Sequence, residues 1–239
     1  MDLIGQAIYN YHFNGNDESL VIDSNYTEDE VLDPSHFFRT YDLMSAIEKR
    51  ALDLCRGKIL DVGAGAGCHA LDLQNRALRV TALEKSELAC QVMTDRGVEH
   101  IVTGDMMDHT GIMYDTILLL MNGAGLAGTM QGLERMLAHL KTLLAPGGQI
   151  LMDSTDIIYL FQEDDGSLWI DLANNNYYGE MTFTIKYRNK TGDPFPWLFV
   201  DFESLSQYAG KQGFKTELVM EGEDGDYLAR LVHLDNSPI

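Results

Sequence analysis

No stretch of this chain approaches the ~20 consecutive apolar residues of a membrane-spanning helix, and the N-terminus lacks the pattern of a secretory signal. A soluble, cytoplasmic protein is therefore expected. Cysteine is scarce: Cys55, Cys68 and Cys90 are an odd set without Cys-x-x-Cys spacing, which argues for buried thiols in a reducing compartment. The seven histidines are scattered with no His-x-x-x-His pair, so no metal site is expected. Basic residues are few as well, 17 Lys and Arg against 37 Asp and Glu, for a net charge of −20. A protein that grips a nucleic-acid backbone needs a basic stripe to displace counterions, so such a substrate is disfavoured and a small molecule is favoured. What remains is an ordinary globular composition, 45% hydrophobic over 239 residues, long enough for a sizeable core. The acidic run Glu163-Asp-Asp165 reads as a solvated loop.

The stretch around which the rest is organised is Lys58-Ile-Leu-Asp-Val-Gly-Ala-Gly-Ala-Gly-Cys-His69. Ile59 to Val62 reads as a short buried strand, and His69 to Arg76 can be helical. Between them, Gly63, Gly65 and Gly67 remove Cβ atoms where the chain must bend and a ligand must meet bare backbone. Strand, glycine turn and helix bring amides and a positive helix end to a ligand. The spacing is not the Gly-x-Gly-x-x-Gly of a dinucleotide turn, because the third glycine comes one residue early. Asp61 beside the turn would repel a pyrophosphate and suits a ligand with a cationic amino-acid end.

Residues 1–34 read as loops and short helical pieces. A helix is expected from Asp33-Pro34 to Gly57, since Phe37, Tyr41, Met44, Ile47, Ala51 and Leu54 recur every three or four residues. Strands at 79–83, 100–103, 114–121 and 149–153 then alternate with helices at 86–96 and 130–144, the former opened by a Ser86 cap. That rhythm implies a doubly wound α/β parallel sheet, with ligands beyond the C-terminal strand ends. Those ends carry Glu84, Asp105, Asn122 and Asp153. From about 156 the alternation changes, with strands at 181–188 and 197–201, a helix to about Gln212, and a closing hairpin about Asp224-Gly225. The expected organisation is an N-terminal cap of helices and loops, 1–57, and a main domain, 58–239, with a β insertion at about 156–201.

With these landmarks in order, residues 57–234 resemble the class I S-adenosylmethionine-dependent methyltransferases. Asp61-Val-Gly-Ala-Gly-Ala-Gly67 resembles their motif I, and Glu84 the acidic end of the second strand. Gly104-Asp105-Met106 resembles the next motif, Asp115-Thr-Ile-Leu-Leu-Leu-Met-Asn122 motif IV, and Leu143-Leu-Ala-Pro-Gly-Gly-Gln-Ile-Leu151 the turn and strand that follow. Phe37-Phe-Arg39, Leu71-Asp-Leu-Gln74, Met121-Asn-Gly123 and Asp153-Ser-Thr-Asp156 together look like an uncharacterised bacterial subgroup. The resemblance implies a Rossmann-like seven-stranded sheet, mostly parallel with an antiparallel C-terminal hairpin strand, and S-adenosylmethionine as cofactor.

It also implies roles. Asp61, Gly63, Ala64, Gly65 and Gly67 would hold the amino-acid end; Glu84 would accept from the ribose hydroxyls, with Lys85 beside it. Asp105 would take the adenine amino group, Met106 would pack on the ring, and Met121 and Asn122 would lie by the transferable methyl. Asn122-Gly-Ala-Gly125 departs from the Asn-Pro-Pro-aromatic pattern of enzymes that methylate nucleic-acid amino groups. Each residue has a plainer alternative: Asp61 capping amides of the turn, Glu84 an exposed strand end, Asp105 and Asn122 turn residues. Arg39 pairs either with the cofactor carboxylate or in a surface ion pair. Asp153 and Asp156 are the candidates for a general base, and Asn122 is a candidate catalytic residue beside the methyl. Tyr177, Tyr178 and Trp197 line an acceptor pocket or belong to the core. His69 reads as packing or capping. The rival functions are a nicotinamide- or flavin-dependent oxidoreductase and a non-catalytic protein that keeps S-adenosylmethionine as a structural ligand.

Overall fold

The computed structural model describes residues 1–26, 29–162 and 176–234; the acidic run at 163–165 lies outside them. In chain order the elements are α1 (Leu3–Asn14), β1 (Leu20–Ser24), β2 (Glu30–Leu32), α2 (Ala46–Leu54), β3 (Lys58–Val62), α3 (Cys68–Asn75), β4 (Arg79–Glu84), α4 (Glu87–Asp95) and β5 (Ile101–Thr103). They continue with β6 (Tyr114–Leu119), α5 (Met130–Leu143), β7 (Leu144–Thr155), β8 (Glu180–Tyr187), β9 (Lys190–Thr191), β10 (Phe195–Leu198), α6 (Phe202–Lys211), β11 (Phe214–Glu221) and β12 (Asp226–His233).

The larger sheet runs β11-β12-β7-β6-β3-β4-β5. Its strands β3 to β7 pair in parallel, while β12 enters antiparallel between β7 and β11, as the hairpin pattern implies. Ile59, Leu60, Ile117, Leu118, Ile150 and Leu151 are wholly buried, because helices cover both faces and each strand must be apolar on both sides. From β3 the chain winds outward through β4 and β5, then returns to β6 on the other flank. The ends of β3 and β6 therefore flank the crevice where the winding reverses, the usual position for a ligand.

The N-terminal segment departs from expectation. It holds a 12-residue helix, α1, capped by Asp2, which accepts from the Gly5 N–H at 2.8 Å. It also holds two strands, and β1 pairs antiparallel with β8 of the insertion. A second sheet, β10-β8-β1-β2 with β9 beside β8, thus joins two segments far apart in sequence. Its apolar face, with Leu20, Ile185 and Tyr187, packs on Leu3 and Ala7 of α1 and on Phe37.

The single helix expected from Asp33-Pro34 to Gly57 is also corrected. Pro34–Phe38 and Tyr41–Leu43 are short 3-10 turns, and α2 begins only at Ala46. Ser45 and Glu48 form a reciprocal capping box that starts a helix there, stabilising it by about 1 kcal/mol. Phe37 consequently packs with the second sheet and α1, while Met44, Ile47 and Ala51 cover the main sheet. β7 begins at Leu144, ahead of the expected start at Gln149, with an irregular register opposite Tyr114 to Thr116.

Candidate active site

At the end of β3 the three glycines all adopt left-handed backbone, φ +71° at Gly63, +55° at Gly65 and +81° at Gly67, where a side chain would be strained. The Gly63 and Ala64 amides donate to the Leu83 carbonyl, tying the turn to β4. A Cβ on Gly67 would lie 2.9 Å from Val98 Cγ2 and 3.0 Å from Met93 Cγ, so this glycine lets α3 pack closely. Phe37 lies over Gly65.

Glu84 closes the neighbouring strand. One carboxylate oxygen accepts the Gly65 amide and the other the Ser86 amide, each at 2.8 Å, leaving each oxygen a second lone pair. On the next loop Asp105 accepts from the Met107 amide at 3.0 Å and pairs with Lys85 at 3.1 Å. These two contacts, the amide first, hold its carboxyl below the usual range. Met106 packs against the core.

Asp61 is buried beneath the turn. Burial pushes its carboxyl up and Glu84 adds to this, while His69 and the Ala70 N–H oppose it. Its Oδ2 has no hydrogen-bond partner. At the end of β6, Met121 and Asn122 both have positive φ, +65° and +57°, a conformation that costs non-glycine residues about 1–2 kcal/mol each. Asn122 donates to the Leu198 carbonyl at 3.2 Å, and its buried Oδ1 accepts nothing. Asp153, at the adjacent end of β7, accepts the Gly123 amide at 2.7 Å. Burial raises its pKa to about 6, against the pull of the Gly123 and Asn122 amides.

Above these strand ends lies a cavity of about 570 Å³ whose walls include His36, Arg39, Glu48, Met121 and Asp153. Arg39 and Glu48, together with His69, form a buried charged cluster of which the residue pattern singles out only Arg39 as a charge partner. Glu48 Oε1 contacts Arg39 and lies 2.9 Å from His69 Nε2, while Glu48 Oε2 takes the Ser45 amide. Burial raises the Glu48 pKa, but His69, Ser45 and Arg39 outweigh it and bring it down to about 2. For His69, burial is outweighed by the adjoining Cys68 sulfur, Glu48 and Asp61, so its pKa lies well above the ordinary imidazole value. Arg39 also contacts His36, and its buried Nε has no partner. His36 is pushed down by burial and by Arg39. Glu48 is legible in the sequence only as the last member of a capping box, and His69 only as a residue of the helix's first turn.

The remaining candidates sit elsewhere. Asp156 accepts from the Tyr178 hydroxyl at 2.7 Å and the Ile158 amide, and lines a separate depression with Glu223 and Gly225. Tyr177 donates to Asp201 at 2.5 Å and packs against the core. Trp197 lies across Gly125, where a Cβ would fall 2.1 Å from the indole, and packs near Phe183 and Phe195. The structure thus brings Asp61, the glycines, Glu84, Met121, Asn122, Asp153 and Arg39 to one mouth. Asp156, Tyr177 and Tyr178 belong to a polar and aromatic network on its flank. Among the described residues no group of three or more His, Cys, Asp and Glu could hold a metal ion. Nor is any helix there long and apolar enough to cross a membrane.

The chain is similar to a methyltransferase from Bacteroides fragilis solved in complex with S-adenosyl-L-homocysteine. The two are 40% identical, with 97% of this chain and 94% of that one covered, at a TM-score of 0.90. The CcbJ methyltransferase from Streptomyces caelestis shares the fold at 14% identity, covering 81% and 94% of the two chains with a TM-score of 0.60. So does CalS10, an amino pentose methyltransferase from Micromonospora echinaspora, at 16% identity, 80% and 92% coverage and a TM-score of 0.53. No protein-family model matches the chain, and no curated protein does.

Proposed function

The chain belongs to the S-adenosylmethionine-dependent methyltransferases, and from that premise we propose that it methylates a small-molecule acceptor held beside Asp153. The observation that carries this placement is a set of buried polar atoms without partners around the glycine turn: Asp61 Oδ2, Arg39 Nε and Asn122 Oδ1. Each such atom costs about 1–3 kcal/mol when left unsatisfied. An ammonium group suits the first and a carboxylate the second, so an amino-acid end fits between β3 and Arg39. Ala64 and the bare backbone of Gly63, Gly65 and Gly67 would border that end. Glu84 offers free lone pairs to a ribose diol, Asp105 to an adenine amino group, and Met106 an apolar surface to the ring. Lys85 holds Asp105 in place.

When bound, S-adenosylmethionine would supply an electrophilic methyl group: an acceptor lone pair attacks the methyl carbon in line as the carbon–sulfur bond breaks, and S-adenosylhomocysteine leaves. The protein's share is alignment, a contribution that can reach several kcal/mol. Met121 and Asn122, fixed in strained backbone at the end of β6, wall the space between turn and acceptor. Where the acceptor is a hydroxyl or a protonated amine, its proton passes to the Asp153 carboxylate, whose pKa of about 6 suits a base near neutrality. Trp197, over Gly125, would border the acceptor.

The net charge of −20 and a cavity of about 570 Å³ support a small acceptor over a nucleic acid. The three cysteines are free thiols, which supports a reducing, cytoplasmic setting. We also assign α1, β1 and β2 of the 1–57 segment and strands β8 to β10 of the insertion at 156–201 to one cap over the main domain, since they form or pack on the second sheet, whereas α2 covers the main sheet. Titration calorimetry with S-adenosylmethionine and S-adenosylhomocysteine tests the reading. Both are expected to bind one per chain, and Asp61→Asn to weaken both by about tenfold or more. Absence of binding by either ligand would overturn it.

A further inference from the structure

We propose that His69 is a positioning residue for cofactor recognition: its imidazolium, anchored on Glu48, keeps the Asp61 carboxylate ionised so that Asp61 can receive the cofactor's ammonium group. The inference rests on the placement of the amino-acid end at Asp61. Its own basis is the arrangement of buried charges around the glycine turn. Asp61 is 2% exposed and has an unpartnered oxygen. A buried carboxylate without compensation takes up a proton, and a neutral acid cannot form an ion pair with an ammonium.

Asp61 takes the Ala70 N–H, and the side chains that act on it electrostatically are His69, Glu84 and Cys55. Glu84 is an anion and acts against ionisation; Cys55 is a thiol pushed up to about 12 by its own burial. His69 is therefore the side chain among them that favours the carboxylate. His69 contacts Glu48 from α2, whose same oxygen also meets Arg39; the further charged groups that act on it are Asp61 from β3, Cys68 on its own helix, Asp153 from β7, and His36 from the turn before Arg39. Glu48 fixes the imidazole through Nε2 at 2.9 Å, with both side chains 6% exposed. Glu48 is in turn held by the Ser45 amide and Arg39. The proton on His69 is thus secured by α2 and felt by β3.

The test is calorimetry of S-adenosylhomocysteine binding from pH 5.5 to 8.5 for the wild type, His69→Gln and the double variant His69→Gln/Asp61→Asn. A parallel titration uses 5′-methylthioadenosine, which lacks the amino-acid end. In His69→Gln the pH at which affinity falls should rise by one unit or more. At pH 6 this variant should therefore bind about tenfold more weakly, relative to wild type, than it does at pH 8. Methylthioadenosine affinity should change less than about twofold, and the added Asp61→Asn should erase the pH dependence. The inference is overturned if His69→Gln keeps the wild-type profile, loses the same factor at every pH, or loses methylthioadenosine in parallel. If circular dichroism shows that His69→Gln does not fold, Glu48→Gln takes its place with the same expected pH-dependent loss. A wild type that binds homocysteine nucleoside at no pH would sink the underlying placement, whereas binding with an unmoved profile sinks this inference alone.

Discussion

His69 Nε2 lies 2.9 Å from Glu48 Oε1, fastening the first turn of α3 to the first turn of α2 in a place almost closed to solvent. The same carboxylate closes the capping box with Ser45 and meets Arg39. One buried anion therefore connects three separate segments of the site.

Glu48→Ala should destabilise the fold by about 3–5 kcal/mol, because it strands His69 and Arg39 without their partner. For a chain of this size that lowers the thermal midpoint by roughly 10 °C. The pH dependence has a definite sign. Glu48 titrates near 2 in the fold and at 4.5 ordinarily, so its contribution is complete above 4.5 and is lost as pH falls through about 2. His69 is raised in the fold, so its contribution is complete below its ordinary 6.5 and is lost as pH climbs through the raised value. Urea denaturation of wild type and Glu48→Gln across pH 3 to 5 should show the wild type losing its advantage toward the acid end.

Two glycines separate backbone strain from packing. Gly97 has φ +88° and open space around it, whereas Gly67 has φ +81° and close neighbours in Val98 and Met93. Gly97→Ala should cost about 1–2 kcal/mol from strain alone. Gly67→Ala should cost more by roughly 1–3 kcal/mol of overpacking. Equal losses in chemical denaturation would contradict the close approach of α3 to α4.

Gly125→Ala should push the Trp197 indole aside and leave the glycine turn untouched, since its new Cβ would fall within the ring. Tryptophan emission should shift, S-adenosylhomocysteine affinity should stay within about threefold, and methyl transfer should fall by roughly a hundredfold from a displacement near 1 Å. Loss of nucleoside binding instead would detach Trp197 from the acceptor side.

Asp153→Asn addresses the proposed base. Burial raises Asp153 to about 6, so a rate that needs its carboxylate climbs with pH through about 6 and levels above it. The amide variant should lack that limb. It should also raise the thermal midpoint at pH 8, because a raised acid pKa means that the ionised form is the costly one in the fold. A lower midpoint at pH 8 would show that the carboxylate stabilises its surroundings.

Much of the main sheet was legible in the sequence because its signals are local. Strand ends fell within two residues of their expected positions at Glu84, Thr103 and Leu119, and the glycine turn marked its own bend. Of the second sheet, β8 and β10 were legible as strands of the insertion, but their union with the N-terminal segment was not, because β1 finds its partner β8 across most of the chain and no periodicity in Leu20–Ser24 names that partner. The spacing from Phe37 to Leu54 suggested one helix, yet Ser45-Ala-Ile-Glu48 carried the stronger local instruction and started α2 afresh. Asp153 and Asp156 looked equivalent at one strand end. Three residues of extended chain carry Asp156 beyond the cavity and into contact with Tyr178. The Glu48 and His69 pair required the packing of α2 against α3, which neither residue type announces.

The pairing of β1 with β8 bears on how the protein is made. Ribosomes add roughly 5–20 residues per second, so about 160 residues of synthesis leave the early strand waiting some 8–30 s for its mate. Throughout that interval Leu20, Val21 and Ile22 offer an uncovered edge to any nascent neighbour. Newly made chains should lean on holdase chaperones until Tyr187 emerges, and moving the first 33 residues to the far end of the gene should shorten that dependence.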